Sequence, residues 1–150
     1  MTQVATIRLD QVNLVVADVD ASRAFYDALG VDFGDQRDPT WSRHHVSATR
    51  RLGATDLDLD STAFAAHWDQ GWPGGPGIVL GFRVDTRQAV DDLVAALAAR
   101  GVPVQQPPWD AFWGARYAVV SDPDGNAVGI MSPQDDAFRA PPPDPDSPPK

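Results

Sequence analysis

The chain has 150 residues, 43% of them apolar and 22% charged, which suits one folded domain or two small joined halves with a real core. It has no cysteine, which excludes disulfides, thiolate metal sites and a thiol nucleophile. Its formal net charge of −9, with Lys150 as the sole lysine, lacks the basic clusters that nucleic-acid phosphates require and favours cationic ligands.

In chain order, Met1 to Arg8 shows no basic stretch followed by an apolar block, so no signal peptide is expected. No apolar run approaches a membrane span, and a cytoplasmic location is expected. Gln11 to Val16 alternates as a strand. Asp18 or Asp20 can cap the helix that follows, with Ala24, Phe25, Ala28 and Leu29 as its apolar stripe and Gly30 as its stop. A short strand is expected near Val31. His45 to Arg51 and Thr55 to Asp60 read as a hairpin around Leu-Gly-Ala, and a loop from Ser61 to Gly77 follows.

The pattern then repeats. Val79 to Val84 aligns with the first strand at a shift of 68 residues, Leu14 on Phe82 and Val16 on Val84. Asp85 or Thr86 caps a second helix with the stripe Ala89, Val90, Leu93, Val94 and Leu97, and Gly101 ends it. A short strand is expected near Val102. Strands Arg116 to Ser121 and Ala127 to Met131 flank the turn Asp122-Pro-Asp-Gly-Asn126. From Ala140 the chain reads APPPDPDSPPK, six prolines in eleven residues, an extended or disordered tail. The division is a first module over 1–61, an inter-module loop over 62–76, a second module over 77–138 and the tail over 139–150.

Alternation separates two faces of each sheet. Val12, Leu14, Val16 and the two leucines of Asp56-Leu-Asp-Leu-Asp60 belong under the first helix. Gln11, Asn13, Val15, Asp56, Asp58 and Asp60 face away. In the second half Leu80, Phe82 and Val84 are helix-side, opposite Val79, Gly81 and Arg83. Gly129 and Met131 share the non-helix face.

These features together resemble the vicinal oxygen chelate superfamily, the glyoxalase, bleomycin resistance protein and dioxygenase group. The resemblance is carried by duplicated βαβββ units, the segment from Val16 to Gly30 with Ser22, Phe25 and Tyr26, and Asp122-Pro-Asp-Gly-Asn126, and it covers roughly residues 7 to 133. It implies an α+β fold of two βαβββ modules, a cup-shaped curved sheet with ligand on the face away from the helices, and a homodimer. Metal enzymes of the group take one ligand from each of four strands. Carried over residue by residue, these positions are Gln11, Asp58, Val79 and Gly129. The last two have no donor atom, so no metal and no other cofactor is expected. An off-pattern metal site using His44, His45, Asp56, Asp58 or Asp60 is the alternative.

The candidate ligand-binding residues are Gln11, Asn13, Trp41, His45, Asp58, Trp68, Trp72, Val79, Arg83, Trp109, Phe112, Trp113, Gly129 and Met131. The five tryptophans carry most of this choice. Trp41 precedes the hairpin, Trp68 and Trp72 fall in the inter-module loop, and Trp109 and Trp113 fall in a loop before Arg116. Indoles there can stack flat ligands and bind cations, or plug the cup or a dimer interface. Asn13 is expected to donate a hydrogen bond to ligand. Arg83 can bind an anionic group or pair with the aspartates. The resulting expectation is a metal-independent protein that sequesters an aromatic or cationic drug or natural product, with no catalytic residue singled out and no nucleic-acid or membrane partner. The alternatives are a glyoxalase-like lyase or isomerase, or a dioxygenase, with a rearranged metal site or an acid–base pair such as His45 with Asp58. A regulatory subunit presenting its tryptophans to a protein is the third.

Overall fold

A computed structural model describes residues 6–34, 43–48, 55–144 and 146–149. The elements are β1 (Arg8–Val16), α1 (Val19–Leu29), β2 (His45–Ser47), β3 (Asp56–Ser61), α2 (Thr62–Trp68), β4 (Gly77–Arg83), α3 (Arg87–Ala99), β5 (Val104–Asp110), β6 (Arg116–Ser121), β7 (Ala127–Met131) and a 3-10 turn, Asp136–Phe138. The chain divides into two compact units, one centred on Asp10–Val79 and one on Leu80–Pro142. Among the described residues no helix is long and apolar enough to cross a membrane.

In the first unit the strand order is β2-β3-β1, with β1 parallel to β3 and β2 antiparallel to it. Helix α1 starts because the Asp18 carboxylate accepts from Ala21 N (2.9 Å), and it ends at Gly30, whose φ of 105° suits glycine. The core between α1 and the sheet is Val19, Phe33, Val46, Ala48 and Leu59, with Leu14, Val16, Tyr26 and Leu57 against it. The expected stripe of α1 is corrected here. Phe25 and Leu29 are exposed, at 64% and 70%, and the helix seats through Val19 and Tyr26, seven residues apart, with Tyr26 edge-on to Phe33. An apolar count cannot tell which of two adjacent stripes meets a partner, and here the contact with Phe33 decides. No strand forms over residues 31–34. The Leu52-Gly53-Ala54 turn lies outside the described residues.

The expected loop after β3 contains a helix. The Ser61 hydroxyl accepts from Phe64 N (3.0 Å), and the Ala-rich Thr62–Trp68 buries Phe64, Ala65 and Trp68 on one side. Over seven residues a helical period does not stand out from a loop. Trp68 is thus a helical core residue, 3% exposed, rather than a loop residue.

In the second unit the order is β4-β7-β6-β5, with β5–β6 and β6–β7 antiparallel. The Thr86 hydroxyl caps α3 through Ala89 N (3.0 Å). Val90 and Val94 pack on Val84, Ala118, Val120 and Ile130, flanked by Ala89, Leu93 and Leu97, so the expected stripe is the buried one. Leu80, expected on the helix side, is 39% exposed. Strand β5 corrects the reading of Trp109 as a loop residue. Pro107 and Pro108 lack N–H donors, but β5 is at the end of the order, and its register slips between Gln106 and Trp109, where prolines are tolerated. Arg116 ties the unit together, reaching Asp91 on α3 (2.8 Å) and Asp110 on β5 (3.1 Å).

The Asp122–Asn126 turn closes as expected. The Asp122 carboxylate accepts from Asp124 N, Asn126 N and Asn126 Nδ2, and Gly125 takes φ 85°. Beyond β7 the chain returns to the 112–114 turn. Asp135 N donates to Gly114 O (3.0 Å), Arg139 forms a bridge with Trp113, and Ala140 N donates to Phe112 O (3.0 Å). Further along the tail, Asp146 meets His44 Nε2 at 3.2 Å.

Candidate functional site

The face of β1–β3 turned away from α1 is polar and nearly dry. Cross-strand register places Asn13 beside Asp58 and Val15 beside Asp60, with His45 opposite Asp60 and Ser47 opposite Asp58. Asn13, Asp58 and Asp60 are buried, at 7%, 8% and 2% exposure. Asp60 accepts from Asn13 Nδ2 (2.7 Å) and is paired with His45 Nδ1, while the Ser47 hydroxyl donates to Asp58 (2.5 Å). The ring of Phe64, from α2, packs edge-on to the His45 ring.

This arrangement sets the charges. Burial disfavours the charged His45 ring, but the Asp60 carboxylate, as a charge and as an acceptor, outweighs it with help from Asp58 and raises the pKa from 6.5 to about 9. His45 is therefore an imidazolium at neutral pH, donating to Asp60. Burial pushes Asp58 up from 3.8 to about 7; His45 and Ser47 oppose this, and Asp60 and Asp56 add to it. One carboxylate is thus neutralised by His45 and the other stands at the edge of ionisation.

The corresponding face of the second unit is aromatic. Trp109 and Trp113 meet edge to face (centroids 5.9 Å apart), Phe112 and Tyr117 pack against Trp113 (5.1 and 5.4 Å), and the Trp113 indole N–H points at Met131 Sδ (3.3 Å). In the ladder Trp109 and Met131 both pair with Tyr117, and Gly129 pairs with Val119. The Trp109 indole N–H is buried with no hydrogen-bond partner.

The sequence-derived candidates thus fall in two groups. Asn13, His45 and Asp58 come together, and Gln11 shares their face as a half-buried residue beside Asp56. Trp109, Phe112, Trp113 and Met131 come together around Tyr117. Trp68 and Trp72 pack on each other (6.0 Å), and the Trp72 indole donates to Gly75 O (3.1 Å) and covers Gly77. Val79 is buried in β4, and Arg83 ends that strand half-buried. Trp41 lies outside the described residues. Sequence reasoning did not single out Ser47, two residues beyond His45 and so on the same face, nor Tyr117, whose place opposite Met131 depends on register. Asn13 Nδ2 gives one N–H to Asp60, and its Oδ1 is buried without a hydrogen-bond partner.

The four positions implied by the resemblance do not fit a chelated divalent ion. Val79 and Gly129 offer no donor, and a Cβ at Gly129 would lie 2.8 Å from Tyr117 Oη, so the tyrosine fills the space a longer side chain would need. Among the described residues no three His, Cys, Asp or Glu side chains are gathered as metal ligands.

A sequence profile described as Glyoxalase/Bleomycin resistance protein/Dioxygenase superfamily matches residues 8–130. The chain belongs to this superfamily. No curated protein matches this superfamily member by sequence. Among solved structures, it is similar to a protein described as the NAD-dependent benzaldehyde dehydrogenase of Legionella pneumophila, at 20% identity and TM-score 0.62, covering 81% of this chain and 96% of that one. It is similar to the Mn(II)-bound glyoxalase of Novosphingobium aromaticivorans, at 20% identity and TM-score 0.56, covering 86% of this chain and 40% of that one. It is also similar to an extradiol ring-cleaving dioxygenase of B.fuscum, at 21% identity and TM-score 0.59, covering 85% and 33%. This superfamily member therefore spans two-fifths or less of the length of the latter two. At such identities these likenesses establish the α+β fold of the superfamily alone.

Proposed function

We propose that this superfamily member is a metal-independent small-molecule-binding protein that sequesters an aromatic or cationic drug or natural product, as a resistance protein would. One observation carries the reading. Where the resemblance places a metal-binding side chain, this chain has Gly129 with the Tyr117 ring standing over it. The aromatic cluster beside it, with the unsatisfied Trp109 N–H, supports a flat ligand carrying an acceptor. The buried carboxylates of the other unit and the net charge of −9 support a cation. Affinity comes from stacking, burial and charge pairing, with no bond made or broken.

Titration of indole fluorescence with a panel of flat aromatic amines tests this. Saturable quenching in protein treated with chelator supports it. Absence of any binding below high micromolar concentration, or stoichiometric metal that survives chelation and is lost in Asp58→Ala, overturns it.

The reading includes a homodimer, supported by the exposed Phe25, Leu29 and Ile78 and tested by sedimentation, and a cytoplasmic location, tested by cell fractionation. A second reading, an acid–base lyase or isomerase, is favoured by Asp58 standing near neutrality beside His45. It predicts solvent-hydrogen exchange next to the carbonyl of a bound ketone, abolished by Asp58→Asn.

A further inference from the structure

The polar face of β1–β3 holds an acceptor that the fold does not use. Asn13 is 7% exposed, and its Nδ2 donates to Asp60. That bond fixes the orientation of the amide, because a carboxylate accepts from the nitrogen and repels the oxygen. Oδ1 is left buried with no hydrogen-bond partner. Burying a carbonyl without a donor is costly, so its persistence points to a donor brought from outside the fold.

The neighbour of Asn13 across the parallel ladder is Asp58, 8% exposed. Asp58 accepts from the Ser47 hydroxyl, and among the described residues no basic side chain hydrogen-bonds to it, His45 being bonded to Asp60 through Nδ1. Adjacent strands therefore present an amide oxygen and a carboxylate side by side, both acceptors and both shielded from water. We infer that Asn13 and Asp58 form a subsite for an organic cation bearing N–H groups, a primary amine or an amidinium, which donates to Asn13 Oδ1 and neutralises the Asp58 carboxylate. This rests on the small-molecule-binding reading and narrows it. A quaternary ammonium has no hydrogen to give Asn13, and a neutral amide leaves Asp58 uncompensated.

The charged groups acting on Asp58 are His45 from β2 and Asp60 and Asp56 from its own strand. β1 contributes the uncharged Asn13 and Gln11, and α2 brings Phe64 against His45. With Asp58 raised to about 7, a cation that binds the carboxylate displaces one proton below that pH. Affinity then rises tenfold per pH unit up to about 7 and levels off above it.

Three probes of similar shape decide the matter by calorimetry: benzamidine, benzamide and benzyltrimethylammonium. Benzamidine is expected to bind at least tenfold more tightly than the other two, and Asp58→Asn and Asn13→Ala, with folding checked by circular dichroism, are expected to remove that preference. Equal binding of the three probes, or a preference that survives in Asp58→Asn, overturns the subsite while leaving aromatic binding intact. Where the panel of aromatic amines also fails to quench indole fluorescence, the broader reading falls with it. If Asp58→Asn does not fold, the wild-type protein still decides. Loss of benzamidine affinity below pH 7, with benzamide unaffected, supports the subsite, and a flat benzamidine profile overturns it.

Discussion

Replacing Asp58 by asparagine separates what the residue does for stability from what it does for ligand. The side chain keeps its shape and can still accept from Ser47, but it can no longer ionise. In the wild type the folded-state pKa of about 7 lies above the ordinary 3.8. A group shifted in this direction contributes stability that is fully present below pH 3.8 and is lost as pH rises through about 7. The interval between 3.8 and about 7 corresponds to on the order of 4 kcal/mol at most for a site only 8% exposed. His45 adds a loss of the same sign at higher pH, since its raised pKa makes its contribution fade between 6.5 and about 9. Urea denaturation of wild type and Asp58→Asn at half-unit steps from pH 4 to 9 measures this. The wild type should lose stability steadily from pH 4 upward, and the variant should hold its stability to about pH 6.5. At pH 8 the variant should be the more stable protein, although it has lost the benzamidine preference. Parallel curves for the two proteins between pH 4 and 7 would refute the reasoning, because they would mean that Asp58 titrates as an ordinary carboxyl.

Asp60→Asn removes the partner that holds the charge on His45, leaving burial as the largest influence; the ring should then titrate below 6.5 rather than at about 9, read from the pH dependence of its Cε1 proton resonance, and a titration still near 9 would show the pairing to be incidental. Gly129→Ala drives a methyl to 2.8 Å from Tyr117 Oη, tighter than any ordinary contact, and is expected to cost about 1–3 kcal/mol in denaturant unfolding, whereas an unchanged midpoint would show that Tyr117 yields freely.

Much of this architecture can be read from the residue pattern, and the exceptions share a cause. The run Asp56-Leu-Asp-Leu-Asp60 announced its two faces because strand periodicity is two and one side had to be buried; Leu59 is indeed in the core and Asp58 and Asp60 lie opposite. Thr86, Gly101 and the Asp122 turn were legible because caps and turns are local chemistry. What could not be read depends on neighbours distant in sequence. Whether Phe25 or Tyr26 faces inward is settled by Phe33 and the sheet, and Trp109 joins a strand despite Pro107 and Pro108 because β5 pairs with β6 at the end of the order. Within the candidate site, composition named the aspartates and the histidine, but not the pairing of His45 with Asp60 and of Ser47 with Asp58, nor the stranded oxygen of Asn13. Those follow from register, which one sequence does not specify.

The return of the chain end to the 112–114 turn has a practical consequence for anyone trimming the protein. Gly114 at φ 97° sits under the carbonyl of Asp135, where a Cβ would come to 2.6 Å, and Arg139 and Ala140 clasp Trp113 and Phe112 from the next stretch. A shortened version cut after Phe138 would unfasten the indole-bearing bend, and its altered emission would mimic a binding defect. A deletion from Pro141 spares this clasp but takes Asp146 away from His44, and a purification tag belongs at the other terminus.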